Sequence, residues 1–251
     1  MRVAIDNTTI RHSDAYGLRI ADDVTITSFD GNTITNNKTA ALATQRGAGH
    51  LSGNSSFEGN EDSWIEIDGE GGDITQEVTW PAIEGADYLL PDGAKVKGSD
   101  AHLTIEPGAT LIFGQQAGLI AKGGKLTAEG TSDKRIVFTG KEETKGYWAG
   151  LQYNGTNSTD NVLKHVTIEY GGGSKWPGYS GAEPANLLLN DWSGDVRATL
   201  NNATIGHSGN AGIRIANNNN NASKIEGCSK VTFEKNAGSD VAPEEASCPT
   251  P

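Results

Sequence analysis

The sequence predicts an all-β protein in which short parallel strands stack coil upon coil as a solenoid. Three observations lead to this fold class. First, the 251 residues include 33 Gly and 20 Asn, which weaken helix interiors and favour tight turns. Second, apolar segments of three to five residues alternate with polar turns along most of the chain. Third, one element occurs twice. Strands this short suit the stacked coils of a solenoid better than the faces of a sandwich.

The strand rhythm is carried by a Gly-aliphatic signature and by short apolar segments between its copies. The signature reads YGLRI at 16–20, AGLIA at 117–121, AGLQY at 149–153 and AGIRI at 211–215. With a strand spacing of about 4.8 Å, roughly eight coils would give a rod about 40 Å long. The side chains predicted to point inward are Ile105, Leu119, Leu151, Ile168, Ile213 and Phe233.

The repeated element joins the two ends of the sequence. Residues 7–21, NTTIRHSDAYGLRIA, align without gaps to residues 202–216, NATIGHSGNAGIRIA, and include the pair His12 and His207. We expect the two copies to share one backbone conformation and to occupy equivalent coils of an array with a period near 195 residues. Each histidine is expected to bond to the turn of a neighbouring coil, with the following serine closing a local turn.

Several motifs resemble one known family. They are the Pro107–Gly108 turn, GKLTAEGT at 124–131, IVFTG at 136–140, the Trp-x-Gly-aliphatic element at 148–151, and IEYGG at 168–172. Together they resemble the right-handed parallel β-helix repeat family of large bacterial secreted or surface proteins, from about residue 78 to 236. The resemblance implies a right-handed parallel β-helix, the hand that parallel crossovers nearly always take. It implies little about function, because the fold hosts lyases, hydrolases, adhesins and stalks.

The domain organisation follows from these matches. We interpret residues 1–40 as the end of a preceding β-helix unit and residues 78–236 as a second unit. Residues 41–77, mostly polar, are predicted to form an irregular connector, and residues 237–251 a C-terminal tail. Cys228 and Cys248 are predicted to pair as a disulfide that pins this tail. Through loop-closure entropy, the disulfide would stabilise the folded chain by about 3 kcal/mol. The alternative is that the two cysteines are unrelated free thiols.

The net charge and the search for targeting signals limit which partners and which cellular location the sequence allows. The net charge of −12 disfavours binding to nucleic acid, and the sequence has no apolar stretch of transmembrane length. No signal peptide is visible at the start, so the chain is either cytoplasmic or a piece of a secreted protein. The predicted disulfide favours the second, and we expect an extracellular or cell-surface location and a monomer.

No catalytic residue is predicted. Polysaccharide lyases of this fold use clustered carboxylates for calcium with a Lys or Arg base, and the nearest material is Asp14, Arg19, Asp22 and Asp23. Arg19 recurs as Arg214, however, which is typical of a structural ladder. No zinc, phosphate-loop or nucleophile-elbow motif is present.

Two segments are candidate binding sites. The acidic loop DGEGGD could offer calcium ligands from Asp68, Glu70 and Asp73, although a solvated turn is the simpler interpretation. The long loop at 171–184 carries Trp176 and Tyr179, which are predicted to stack on sugars; the alternative is that Trp176 covers a coil edge.

The sequence therefore favours a non-catalytic extracellular structural or adhesin-type module that binds a polysaccharide or a cell-surface glycan through its loops. The alternative is a fragment of a carbohydrate-active enzyme, a lyase or a glycoside hydrolase. Its carboxylates would then converge only in the folded chain.

Overall fold

The protein is a parallel β-solenoid of about nine coils, seen here in a computed structural model. The structure describes residues 2–22, 24–173, 183–216 and 223–243. All strand-to-strand ladders in this part of the chain are parallel, which confirms the predicted fold class. Its only helical segments in these ranges are two short 3-10 turns, Gly47–His50 and Gly69–Gly71.

Three long sheets form the sides of the solenoid. Sheet 1 contains β10 (Ala94–Lys97), β13 (Gly118–Lys122), β16 (Gly150–Asn154), β19 (Ala185–Asn190), β22 (Ala211–Ala216) and β25 (Val241–Ala242). Sheet 2 contains β8 (Glu77–Trp80), β11 (His102–Ile105), β14 (Lys125–Glu129), β17 (Val162–Lys164), β20 (Arg197–Asn201) and β23 (Lys224–Ser229). Sheet 3 contains β3 (Tyr16–Ile20), β6 (Thr39–Thr44), β7 (Asp62–Asp68), β9 (Asp87–Leu90), β12 (Thr110–Phe113), β15 (Ile136–Gly140), β18 (Val166–Glu169), β21 (Thr204–Gly206) and β24 (Thr232–Glu234).

Two further sheets, each of two strands, complete the N-terminal coils. One pairs β1 (Arg2–Asp6) with β4 (Thr25–Asp30), and the other pairs β2 (Thr9–Arg11) with β5 (Thr33–Thr35). The side formed by β2 and β5 then narrows to single bridges through Ser56 and Glu84. Sheet 1 opens at the same level, starting from a bridge between Ile74 and Val96. Near its third and fourth coils, the solenoid thus loses the side formed by β2 and β5 and gains the side formed by sheet 1. We call this change the exchange of sides.

In-register apolar ladders fill the interior. In sheet 3, aligned positions of successive coils are Tyr88, Leu111, Phe138, Ile168, Ile205 and Phe233. In sheet 1, the ladder is Leu119, Leu151, Leu187 and Ile213. Five of the six side chains predicted to point inward are at most 1 % exposed, and Phe233 is partly buried against the same core. Each fully buried side chain of this size contributes roughly 1.5–3 kcal/mol to the free energy of folding, relative to an exposed one.

The repeated element has the same local structure in both copies. Asn7 and Asn202 have φ of 49° and 51°, and His12 and His207 have φ of 64° and 53°. The backbone N–H of each histidine donates to a carbonyl of the next coil, and Ser13 and Ser208 close the local turns as predicted. The two copies nevertheless lie on different sides. β3 belongs to sheet 3, whereas its counterpart β22 belongs to sheet 1, because the solenoid exchanges a side between them.

The stretch 41–77, predicted to be an irregular connector, carries ordered strand structure. β7 lies within it and joins β6 to β9, so sheet 3 runs through the stretch without interruption. The alternation Trp64-Ile65-Glu66-Ile67 is the strand signal, with Ile65 and Ile67 buried. This alternating segment is short and is flanked by polar residues and glycines, which are typical of loops. The strand is therefore hard to recognise from the sequence. The proposed domain boundaries stay a prediction.

Candidate functional site

A groove lies where sheet 1 opens, across its first two strands. It has a volume of about 550 Å³ and is lined by Gln45, Gly69, Asp73, Asp92, Gly93, Ala94, Lys95, Gln116, Gly118, Ile120, Lys122, Trp192 and Ser193. Sheet 1 supplies the floor through outward side chains of β10 and β13, while the walls come from turns of several coils. The exchange of sides described above therefore creates the groove.

The charges in the groove are partly paired with each other. The carboxylate of Asp73 lies 3.6 Å from the ammonium groups of both Lys95 and Lys97. The buried side chain of Gln45 accepts a hydrogen bond from the backbone N–H of Lys95 at 3.1 Å, which fixes the start of β10. Asp92 and Lys122 add one charge of each sign. The groove is therefore polar and close to electrically balanced.

Trp192 supplies the aromatic surface of the groove. Its side chain is 59 % exposed, and no other large apolar side chain in the described ranges is exposed. The backbone N–H of Trp192 donates to Oδ1 of the buried Asn190 at 3.1 Å, so the turn that carries the ring is anchored to β19. An exposed aromatic ring beside charged and amide groups is a common arrangement in ligand sites.

The outer face of sheet 1 continues beyond the groove as two rows of aligned side chains. One row runs Lys95, Ile120, Gln152, Leu188 and Arg214. The other runs Lys97, Lys122, Asn154, Asn190 and Ala216. Unlike most outward positions of the solenoid, Gln152, Asn154, Leu188 and Asn190 are buried. Within the described ranges, none of the four amide atoms of Gln152 and Asn154 has a hydrogen-bond partner.

The predicted aromatic pair and the second cysteine cannot be placed. Trp176, Tyr179 and Cys248 lie outside the described residues. Cys228 lies in β23 of the last coil and is not a free thiol. Its pairing with Cys248 stays a prediction. Of the other tryptophans, Trp148 packs in the core against Phe113 with ring centroids 4.2 Å apart.

The three acidic residues of the predicted calcium loop lie in three different local settings. Asp68 ends β7, Glu70 lies in the second 3-10 turn, and Asp73 forms ion pairs with Lys95 and Lys97. Among the residues that the structure describes, no group of three or more His, Cys, Asp or Glu side chains is placed to hold a metal ion. Calcium binding at this loop stays a prediction.

Two of the acidic residues near the N-terminus, Asp14 and Asp22, line different depressions. Asp22 accepts hydrogen bonds from Thr44 and Arg46. Burial alone would raise the pKa of Asp22, but these bonds lower it overall. Asp14 lines a separate depression, and Asp23 lies outside the described residues.

Two carboxyl groups with raised pKa values lie on another side of the solenoid. Burial is the main cause that raises the pKa of Asp87, on β9, and of Glu169, on β18. Both belong to sheet 3, whereas the groove lies on sheet 1. Glu169 approaches Nδ1 of His207 to 3.8 Å, and the His207 ring stacks on Tyr170. Glu169, Tyr170 and His207 therefore form one cluster, whereas Asp87 lies three strands away in the same sheet.

The polar residues of the groove and of the adjoining outer rows of sheet 1 were not found from the sequence. Lys95, Lys122, Gln152 and Asn154 come from three different coils, and no local motif joins them. One signal was present. In the aligned signatures AGLIAK and AGLQYN, the two outward positions change from Ile and Lys to Gln and Asn. Such a pair of amides on the outer face of one coil marks a site that differs from its neighbours.

Comparison with known proteins supports the fold assignment. Residues 72–182 match the family model described as pectate-lyase like beta helix domain. No curated protein and no solved structure matches the chain. The matched range and the parallel coils together confirm the resemblance to parallel β-helix repeat proteins. Among the described residues, no helix has the length and apolar character needed to cross a membrane.

Proposed function

We propose that the protein is a non-catalytic polysaccharide-binding β-helix module and that the groove on sheet 1 is its binding surface. The observation that carries this proposal is the exposed ring of Trp192 in a groove lined by Lys95, Lys122, Asp73 and Asp92. Aromatic rings cover the apolar faces of sugars, and the charged and amide groups around the ring can bond to their hydroxyls. The match to a pectate-lyase-like domain supports a polysaccharide as the partner.

The pairing of charges in the groove favours binding over cleavage. A lyase of this fold needs free carboxylates to hold a cation and a basic side chain free to take a proton. Asp73 is instead engaged by Lys95 and Lys97. The carboxyl groups whose pKa values are raised, Asp87 and Glu169, lie on sheet 3.

The location and role that we propose are extracellular, as a structural or adhesin-type module that holds a surface or matrix polysaccharide. The disulfide expected at Cys228 and a polysaccharide ligand both favour this setting. Trp176 and Tyr179 belong to the proposal as additional sugar contacts from the loop at 171–184, whereas Trp192 is the contact argued from geometry.

A carbohydrate-active enzyme is the second candidate, and one observation favours it. Two carboxylates, Asp73 and Asp92, line the same groove as Lys95 and Lys122. Catalysis on polysaccharides needs acidic and basic groups in one groove, and these four residues provide both kinds. If turnover occurs, Lys122→Ala and Asp92→Asn should each abolish it.

The experiment is affinity electrophoresis of the protein through gels containing a panel of neutral and acidic polysaccharides. We expect retardation by at least one polysaccharide and its loss in Trp192→Ala. Trp64→Ala removes an aromatic ring from sheet 3 and serves as the matched control, which should still be retarded. Equal retardation of the Trp192 variant and the unmodified protein would refute the groove as the binding surface.

A further inference from the structure

The two outermost described coils, one built from β1, β2 and β3 and the other from β23, β24 and β25, leave the ends of the core uncovered. Ile34 and Ile205 lie in inner coils and are fully buried. Their aligned partners in the outermost coils, Ile10 and Phe233, pack against the same core but are only partly buried. β2 and β24 each have one edge without a partner strand in the described ranges. Both ends of the described solenoid are therefore open.

The two open ends have the same arrangement of strands and corners. At one end, Asn7 and His12 turn the chain between the three strands, with φ values of 49° and 64°. At the other end, Lys230 and Lys235 do so, with φ values of 52° and 51°. In both coils the two corner residues enclose a short strand of three residues, β2 or β24. The two ends therefore have matching outlines.

The hydrogen bonds between coils define the register in which the two ends can meet. The corner N–H of Asn202 donates to the carbonyl of Ser229, which immediately precedes the corner of the next coil. Lys230 occupies that next corner, and its N–H has no backbone acceptor in the described ranges. Asp6 immediately precedes the corner Asn7 at the other end. The carbonyl of Asp6 in a second copy therefore lies where this acceptor is missing.

The side chains that face each other in this register are complementary. Residues that precede the second corner align from coil to coil, as Gly206 and Glu234 do. Arg11 holds this position at the other end, so Arg11 of a second copy lies opposite Glu234, and both side chains are exposed. One position earlier, the alignment sets Ile10 of the second copy against Phe233. Opposite charges one strand spacing apart attract each other, and apolar side chains that meet there are removed from water.

We propose that the two open ends bind each other between copies of this chain, so that the molecules stack head to tail and continue the solenoid. Different surfaces meet in this contact, and they lie at opposite ends of the solenoid, so the assembly grows as an open filament. Unpaired strand edges favour such pairing. The monomer expected from the sequence is then the form present in dilute solution. The assembly does not depend on polysaccharide binding, because the groove lies on β10 and β13, away from both ends.

The test is sedimentation velocity of the protein over a range of concentrations, with two charge reversals. We expect the unmodified protein to form larger species as its concentration rises. Arg11→Glu and Glu234→Arg each place like charges at the contact and should weaken association about tenfold. An equimolar mixture of the two variants should associate again, because each then meets an opposite charge on the other. Lys141→Glu and Glu142→Arg, on an exposed turn in the middle of the solenoid, change the net charge equally and are the matched controls.

Several results would overturn the head-to-tail contact. One is a monomer at every concentration up to the solubility limit. Another is an equal change of association in the end variants and in their controls, which would show an effect of net charge alone. Association that the end variants leave unchanged would place the contact elsewhere on the molecule. Association that is lost in both end variants and not restored by mixing them would refute the register, and melting temperatures equal to that of the unmodified protein establish that the variants are folded.

Discussion

At the scale of single residues, buried asparagine side chains differ in whether their amide groups are hydrogen-bonded. Asn37 is buried and its amide bonds to Ile10, Thr35, Ser13 and Asn60. Asn154 is equally buried and its amide bonds to nothing in the described ranges. The composition, rich in Asn, predicted turns but could not distinguish these roles. Asn37 has backbone carbonyls within reach on its own coil and on the preceding one, whereas Asn154 has no such partner among the described residues.

One prediction at this scale concerns His102 on sheet 2. Burial, helped by the nearby charge of Lys125, lowers the pKa of His102, and its Nε2 lies 2.8 Å from Oγ1 of Thr127. The unfolded chain therefore takes up this proton at a higher pH than the folded protein. Stability should be fully present above about pH 6.5 and should fall as the pH drops through the lowered pKa. Urea unfolding at a series of pH values should show a smaller loss in His102→Gln. An identical pH dependence in both proteins would contradict the assignment.

At the scale of strands and turns, the sequence predicted the regular part of the solenoid well. All four copies of the Gly-aliphatic signature are strands, namely β3, β13, β16 and β22. The short apolar segments beginning at Leu103 and Leu111 are the strands β11 and β12. These elements were recognisable because each alternates apolar and polar residues between turn residues. The exchange of sides was not recognisable, because residues 7–21 and 202–216 have the same local structure on either side of it.

The asparagine stack at a coil corner gives a prediction at this scale. Nδ2 of Asn37 donates to Ile10 and to Asn60, and Asn60 in turn donates to Ile34 and Phe57. We expect Asn37→Ala to lower the free energy of unfolding by about 1–3 kcal/mol, because backbone groups of two coils and the side chain of Asn60 on a third lose a partner. Chemical denaturation measures this loss. The exposed Asn54, whose replacement by Ala should change stability by less than about 0.5 kcal/mol, is the control. Equal effects of the two substitutions would refute the role of the stack.

At the scale of the whole molecule, the groove results from a change in cross-section. The side of β2 and β5 narrows to Ser56 and Glu84 while sheet 1 opens at β10. Side chains from distant coils then meet over the first strands of sheet 1. Sequence patterns report the local period of a strand and its turn, so they predicted the solenoid. They do not report which coils share a side, and the site was therefore missed.

The tail of the molecule gives a prediction at the same scale. A disulfide between Cys228 and Cys248 would close a loop onto the last coil and stabilise it by about 3 kcal/mol. We expect neither cysteine to react with a thiol reagent in denaturant until a reductant is added. The reduced protein should have a lower melting temperature. Labelling of both cysteines before reduction would rule out the bridge.

We propose that the groove on sheet 1 holds a polysaccharide without cleaving it. The most direct measurement is the chain length of a retained polysaccharide, determined by size-exclusion chromatography before and after prolonged incubation with the protein. We predict that the polymer keeps its length while it co-elutes with the unmodified protein, and that Trp192→Ala no longer co-elutes. Progressive shortening of the polymer, abolished by Lys122→Ala or Asp92→Asn, would overturn this proposal and identify the groove as an active site.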